Sequence, residues 1–272
     1  MSTPILRPLT PDDTDAAVSL WQRCFDDAPD WIRRTMAAGR LMDCAVGAFD
    51  GGALCSAMYA VPGLEYCGKR GAYLYALGTA PEARGRGLGG AVLEALAEHC
   101  FRDGAEFVVL MPGSAGLRDW YIRRFSMLPL APMADCPVPV PEPTASSGCC
   151  RPLDAAAYAA ARCRFSDLSL PLALLRAQEA DLLPDGGCCM LELPGCTALA
   201  CVRSEERRLQ VLELLCPPEA EAAALGLLCR RFHAEGLSLR RPAADGLSPL
   251  YRCADSGVLP AAARCRFPLV LD

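Results

Sequence analysis

Arg84 and Arg86 alternate with glycines in RGRGLGG at 84–90, and this run is where residue types most directly suggest chemistry. Ahead of it, the apolar and aromatic stretch YLYALGT at 73–79 reads as a strand that stops before Pro81. Behind it, VLEALAEHC at 92–100 reads as an amphipathic helix. A helix that begins where a strand ends leaves its first N–H groups without backbone partners. Those donors, with the positive end of the helix dipole, favour an anion. Gly85, Gly87 and Gly89 remove the β-carbons that would hold a phosphate off the backbone. Arginine suits phosphate because its planar fork donates two parallel hydrogen bonds. The stretch reads as a pyrophosphate cradle.

Two common phosphate loops fit it poorly. A P-loop places Lys and then Ser or Thr after its last glycine, whereas Gly89 is followed by Gly90 and Ala91. The dinucleotide pattern is met only loosely, by Gly85, Gly87 and Gly90; Asp103 and Glu106 precede the next apolar run, FVVLM, instead of closing it. The spacing Arg84-x-x-Gly87-x-Gly89, entered through Thr79-Ala80-Pro81-Glu82, resembles motif A of the GNAT superfamily of N-acetyltransferases, which binds the pyrophosphate of acetyl-CoA. A glycine-rich turn before a surface helix would also satisfy so short a pattern. The strand ahead, the helix behind, a second strand and a tyrosine-bearing helix favour the resemblance.

What the resemblance implies is an α+β (α/β) GNAT fold, a mixed central β-sheet flanked by helices. It implies an N-acetyltransferase that uses acetyl-CoA as co-substrate and an amine of a small molecule or peptide as acceptor. The coenzyme would lie where the strands at 73–79 and 107–110 splay apart. Its pantetheine arm would pair with the backbone of Leu77, Gly78 and Thr79, and its diphosphate would rest on Arg84, Gly85, Arg86, Gly87, Leu88, Gly89 and Gly90. Leu110-Met111-Pro112 followed by Leu117-x-x-Trp120-Tyr121 is similar to the family's strand and tyrosine helix. Tyr121 is therefore the expected acid that protonates the CoA sulfur; packing beside Trp120 is its alternative role. Phe125-Ser126 stand where Gly-Phe is usual, and Ser114 stands where many members have an Asn that contacts the coenzyme. For the base, Glu65, Tyr73 and Tyr75 are candidates, each equally open to a structural role. The altered ending and the missing base keep a second reading open, a non-catalytic acyl-CoA-binding or regulatory protein on the same fold. A hydrolase is disfavoured, since no GxSxG elbow or paired-carboxylate pattern appears.

Composition sets the outer bounds. With 272 residues, 52% of them hydrophobic, the chain can hold one large domain or two ordinary ones. A formal charge of −5 argues against a nucleic-acid partner and is compatible with a cationic acceptor. No apolar run has the length of a membrane span and no signal pattern opens the chain, so neither membrane nor export is expected and a cytoplasmic location is the default. A homodimer is compatible with this reading. The 17 cysteines are scattered without any CxxC, and they read as small buried hydrophobes, not as ligands or disulfides; no metal is expected. His99 and His233 each fall within a helical pattern.

Around the cradle the elements follow the GNAT order over about residues 4–130. Ile5-Leu6 begins a strand, and Thr10-Pro11-Asp12-Asp13 opens a helix with a cap, a proline and acids. A second helix is expected over 30–38 and a hairpin about Asp50-Gly51-Gly52, with a turn over 63–70. After the strand at 107–110, Ser114 caps a helix to Phe125. The proline-rich stretch 129–147 is expected to carry a last strand of the first half and then a linker. That gives a GNAT domain at 1–135, a linker at 136–148 and a second, GNAT-like domain at 149–272. In the second half helices over 153–165 and 170–182, a hairpin about Pro194-Gly195, a strand at 209–214 and a helix to Phe232 echo the first. There Pro218-Glu219-Ala220-Glu221 corresponds to Pro81-Glu82-Ala83-Arg84, and Ala224 to Gly87. An acid and a β-carbon at those places would repel a pyrophosphate and crowd it, so the second half reads as a tandem copy that has lost the site.

Overall fold

The computed structural model of the protein describes residues 3–141, 148–183, 185–260 and Phe267; the middle of the expected linker, 142–147, therefore lies outside the described residues. Strand β1 (Ile5–Pro8) leads into a tight turn at Pro11–Asp13 and helix α1 (Thr14–Phe25). The turn is fixed by Asp13, whose carboxylate accepts from the Thr10 N–H at 2.8 Å and from both guanidinium arms of Arg7 at 2.7 and 2.8 Å. Helix α2 (Pro29–Gly39) starts on a proline, as helices favour. Strands β2 (Ala45–Asp50) and β3 (Ala53–Tyr66) form the expected hairpin, with Gly51 and Gly52 at φ 57° and 86° in its two-residue turn. The turn expected over 63–70 shrinks to Cys67 and Gly68. Gly63, at φ 97°, instead forms a bulge where the register slips between Pro62 and Leu64, so β3 runs on past its proline to pair with β4 (Lys69–Thr79). Helix α3 (Leu88–Arg102), strand β5 (Phe107–Leu110), helix α4 (Ala115–Phe125) and the short β6 (Leu128–Pro129) and β7 (Met133–Pro137) follow.

The second half repeats much of this order. It runs β8 (Cys149–Leu153), α5 (Ala155–Arg162), β9 (Leu168–Ser169), α6 (Leu172–Leu182), β10 (Gly187–Leu193), β11 (Cys196–Glu205), β12 (Arg208–Leu215), α7 (Glu221–Phe232), β13 (Gly236–Pro242) and β14 (Leu250–Cys253). Two mixed sheets result, ordered β1-β2-β3-β4-β5-β14-β6, with β9 on β3, and β7-β13-β12-β11-β10-β8.

These sheets do not follow the two halves of the sequence. The strand expected to close the first half, β7, pairs instead with β13, from Ser238 opposite Pro137 to Pro242 opposite Met133. Pro129 and Pro132 lack the N–H that a continuing ladder would need, and the chain leaves the first sheet between them. Its place beside β5 is taken by β14, with Leu250 opposite Leu110 and also opposite Pro129 of β6.

Side-chain alternation assigns the helices to faces. Tyr75 of β4 meets Trp21 of α1, whereas Gly89 and Gly90 of α3 lie against Thr79 and Phe125. Helix α6 packs on α2, and one core cluster runs unbroken from the first sheet to Leu199, Cys201 and Leu212 of the second. A separate cluster sits under α7 on the far face of the second sheet. The layers are thus α3 and α4, first sheet, the four helices α1, α2, α5 and α6, second sheet, α7.

Candidate active site

Strands β4 and β5 are parallel and pair only from Gly71 opposite Phe107 to Tyr73 opposite Val109. Beyond that they part: β4 stays with β3 as far as Thr79, and β5 ends at Leu110 against β14. The parting is reinforced by a bulge, since Ala57 faces Gly78 but Tyr59 faces Tyr75, which sets Ala76 and Leu77 against Met58 alone. Ala76 sits at φ 51°, a left-handed conformation that costs a residue with a β-carbon about 1–2 kcal/mol. Strain of that kind is retained where the local geometry is used.

The gap opens onto the glycine loop. Gly85 and Gly87 have φ 76° and 79°, and a β-carbon at either would meet no protein atom within 4 Å. They supply the turn and leave its outer side open. Gly89 and Gly90 serve packing instead. A β-carbon at each would stand 3.0 Å from Thr79 Oγ1 and 3.2 Å from the Phe125 ring respectively, so their absence lets α3 lie close on β4 and α4. Gly87 caps α3, its carbonyl accepting from Ala91 N at 3.1 Å. No side chain caps the helix and no acid stands in its first turn, so its leading N–H groups face the open side of the loop with their dipole unopposed. Both arginines are held in place. Arg84 Nε donates to Thr79 O at 3.1 Å, and Arg86 Nη2 meets Asp50 Oδ2 at 2.7 Å across the loop.

These features match known proteins. Residues 6–121 match the family model described as an acetyltransferase (GNAT) domain. Over those residues the chain resembles a GNAT domain. Solved structures extend the likeness of fold to nearly the whole chain. A GCN5-related N-acetyltransferase from Kribbella flavida is 17% identical with a TM-score of 0.70, over 93% of this chain and 71% of that one. Eis1 from Mycobacterium abscessus is 15% identical with a TM-score of 0.62, over 92% and 74%. A GCN5-related N-acetyltransferase from Sphaerobacter thermophilus is 16% identical with a TM-score of 0.58, over 96% and 98%. None of the curated proteins matches the chain in sequence.

In the first half of the chain the gap widens into a cleft of about 480 Å³, walled by Trp21, Tyr73, Tyr75, Leu77, Met111 and Tyr121 and reached by Leu247 from the second half. Tyr121 is 6% exposed, and burial pushes its phenol up to about 12. It therefore keeps its proton at neutral pH. Of the backbone expected to meet the coenzyme, Gly78 O already accepts from the buried Ser56 hydroxyl at 2.8 Å and Thr79 O accepts from Arg84 at 3.1 Å. Ser114 caps α4, its hydroxyl accepting from Leu117 N at 3.2 Å, and its neighbour Gly113 borders the cleft.

The candidate bases separate. Tyr73 and Tyr75 face the cleft, whereas Glu65 lies at the far end of β3 opposite Arg70 and Ser169. The sequence reading missed Asp27. This carboxylate borders the cleft just past the left-handed end of α1 and accepts from Trp21 Nε1 at 2.8 Å. Only the helix-ending position of Asp26-Asp27 hinted at it. Cys24 lies beside Gly78, and burial pushes its thiol up against the opposing influence of Arg84. Neither His99 nor His233 borders the cleft. Among the described residues no cluster of His, Cys, Asp or Glu could hold a metal ion, and no helix is long and apolar enough to cross a membrane.

Proposed function

We propose that this protein is an N-acetyltransferase that moves an acetyl group from acetyl-CoA to an amine of a small molecule or peptide. The observation that carries the reading is the continuity of one groove: an uncapped helix end flanked by Arg84 and Arg86 leads directly into the gap between β4 and β5, and Tyr121 faces that gap. The open loop at Gly85 and Gly87 fits a diphosphate, and the bulged strand offers backbone to an extended arm. In the transfer the amine attacks the thioester carbonyl and the thiolate leaves. Tyr121 donates a hydrogen bond, and then its proton, to the sulfur; the burial that keeps the phenol protonated also makes a thiolate formed beside it more basic. Asp27 is placed to hold the acceptor's ammonium or to take its proton. The second half acts as a degenerate copy that supports the first, and its Leu247 completes the wall of the cleft.

Release of free CoA from acetyl-CoA over a panel of amines tests this. Turnover should fall at least about tenfold in Tyr121→Phe, with coenzyme affinity unchanged. Since deprotonation of Tyr121 is displaced to about 12, the rate should show no alkaline fall through this group below that pH. Tight coenzyme binding without turnover on any amine would leave the non-catalytic reading in its place.

A further inference from the structure

The second sheet has a cleft of its own. Strands β12 and β13 pair in parallel only from Arg208 opposite Gly236 to Val211 opposite Leu239, then part as β4 and β5 do. A register shift marks β12 as well, where Cys201 faces Glu213 but Val202 faces Val211. Between the parted strands lies a cavity of about 420 Å³, within the usual range of small-molecule sites of about 300–1,000 Å³.

Its chemistry differs from that of the first cleft. Helix α7 starts at Glu221, directly after the turn at Pro218–Ala220, whereas α3 waits until Leu88 after the turn at Pro81–Ala83. The extra helical turn occupies the place of the glycine loop, so no diphosphate cradle exists. Counted from the matched prolines, Trp21, Phe25 and Ala76 of the first half become Tyr158, Arg162 and Glu213. Arg162 is 2% exposed and its Nη2 meets Glu213 Oε1 at 2.7 Å, while Tyr158 donates to Glu213 Oε2 at 2.7 Å. A polar wall replaces an apolar one.

Two other guanidiniums border the cavity. Arg240 is held by Asp135, at 2.9 Å from Nε. Arg241 is different: its Nε is buried and, among the described residues, has no hydrogen-bond partner. Two residues past Leu239, which packs under α7, Arg241 lies on the face that α7 covers, and Glu221 of that helix borders the same cavity. Among the described residues no ion pair joins Arg241 to Glu221. A buried guanidinium donor calls for an anion, and a carboxylate nearby calls for a cation.

We propose that the second cleft binds a small zwitterion of the α-amino-acid type, its carboxylate on Arg241 and its ammonium toward Glu221. This stands apart from the acetyl-transfer reading, because it uses no residue of the first cleft. The full chain is melted in the presence of each proteinogenic amino acid at millimolar concentration, and hits are titrated calorimetrically. At least one amino acid should raise the melting temperature. Its methyl ester and its decarboxylated amine should bind at least about tenfold more weakly, as should the parent compound to Arg241→Met and to Glu221→Gln. Cooperative melting of each variant shows that it is folded. The proposal is overturned if no amino acid shifts the transition, or if a hit binds folded Arg241→Met as well as it binds the unaltered protein.

Discussion

Gly87 separates the two demands made of the glycine loop, backbone conformation and open access. Its φ of 79° is left-handed, and a β-carbon there would touch no protein atom within 4 Å. Gly87→Ala therefore introduces no clash, and its cost is conformational, about 1–2 kcal/mol. For a chain of this size each kcal/mol lowers the melting temperature by about 2–4 °C, so a drop of about 2–8 °C is expected in scanning calorimetry. Asparagine visits the left-handed region far more readily, and Gly87→Asn should melt close to the unaltered protein. Binding should respond otherwise. Either β-carbon stands in the space before the first N–H groups of α3, and losing one charge-assisted hydrogen bond to phosphate costs about 1.5–3 kcal/mol. Titration calorimetry should then show acetyl-CoA bound about 10–150-fold more weakly by both variants. Unchanged affinity in both would show that the loop does not hold the diphosphate. A Gly87→Asn variant that melts as low as Gly87→Ala would refute the conformational account.

Three further perturbations probe other parts of the molecule. Glu213→Gln strands the charge of Arg162, which is 2% exposed, and should destabilise by about 3–5 kcal/mol; the double variant Arg162→Met/Glu213→Leu should recover most of this in urea titrations, and equal losses in the two would contradict the buried-pair argument. The Arg7 guanidinium holds the Asp13 carboxyl far below the usual carboxylate range. A depressed folded-state value means that the contribution is complete above the unfolded-state value of about 3.9 and is lost as pH falls below it. The melting temperature of Asp13→Asn should accordingly trail at pH 6 and converge with the parent's as the pH is lowered below about 4; a gap that stays constant with pH would exclude the linkage. Gln178 is 1% exposed, and among the described residues neither of its amide atoms has a partner. Gln178→Leu should stabilise the packing of α6 by about 1–3 kcal/mol, and a destabilised variant in urea unfolding would show that the amide is satisfied.

Much of the first half was legible because its turns are spelled out in local chemistry. Asp50-Gly51-Gly52, Thr10-Pro11-Asp12-Asp13 and Ser114 each specify backbone geometry within a few residues, and each element stands where those signals place it. The glycine loop was legible for the same reason, although Gly89 and Gly90 serve helix packing and not the open side of the loop. Pro62-Gly63 misled because the same dipeptide serves a turn or a bulge, and the choice is made by the partner strand. The destinations of β7 and β14 depend on pairing with residues more than a hundred positions away, which no local pattern encodes. Asp27 escaped notice because its significance comes from Trp21 and from the cleft that α1 and β4 enclose.

The exchanged strands have a consequence for how the molecule comes into being. During synthesis β1 to β5 can assemble early, but β5 keeps a bare hydrogen-bonding edge on its side away from β4 until residues 250–253 emerge. A nascent or prematurely terminated chain thus carries a sticky, open edge on its first sheet. Newborn molecules close that sheet late and all at once, when a strand of one half clasps the body of the other.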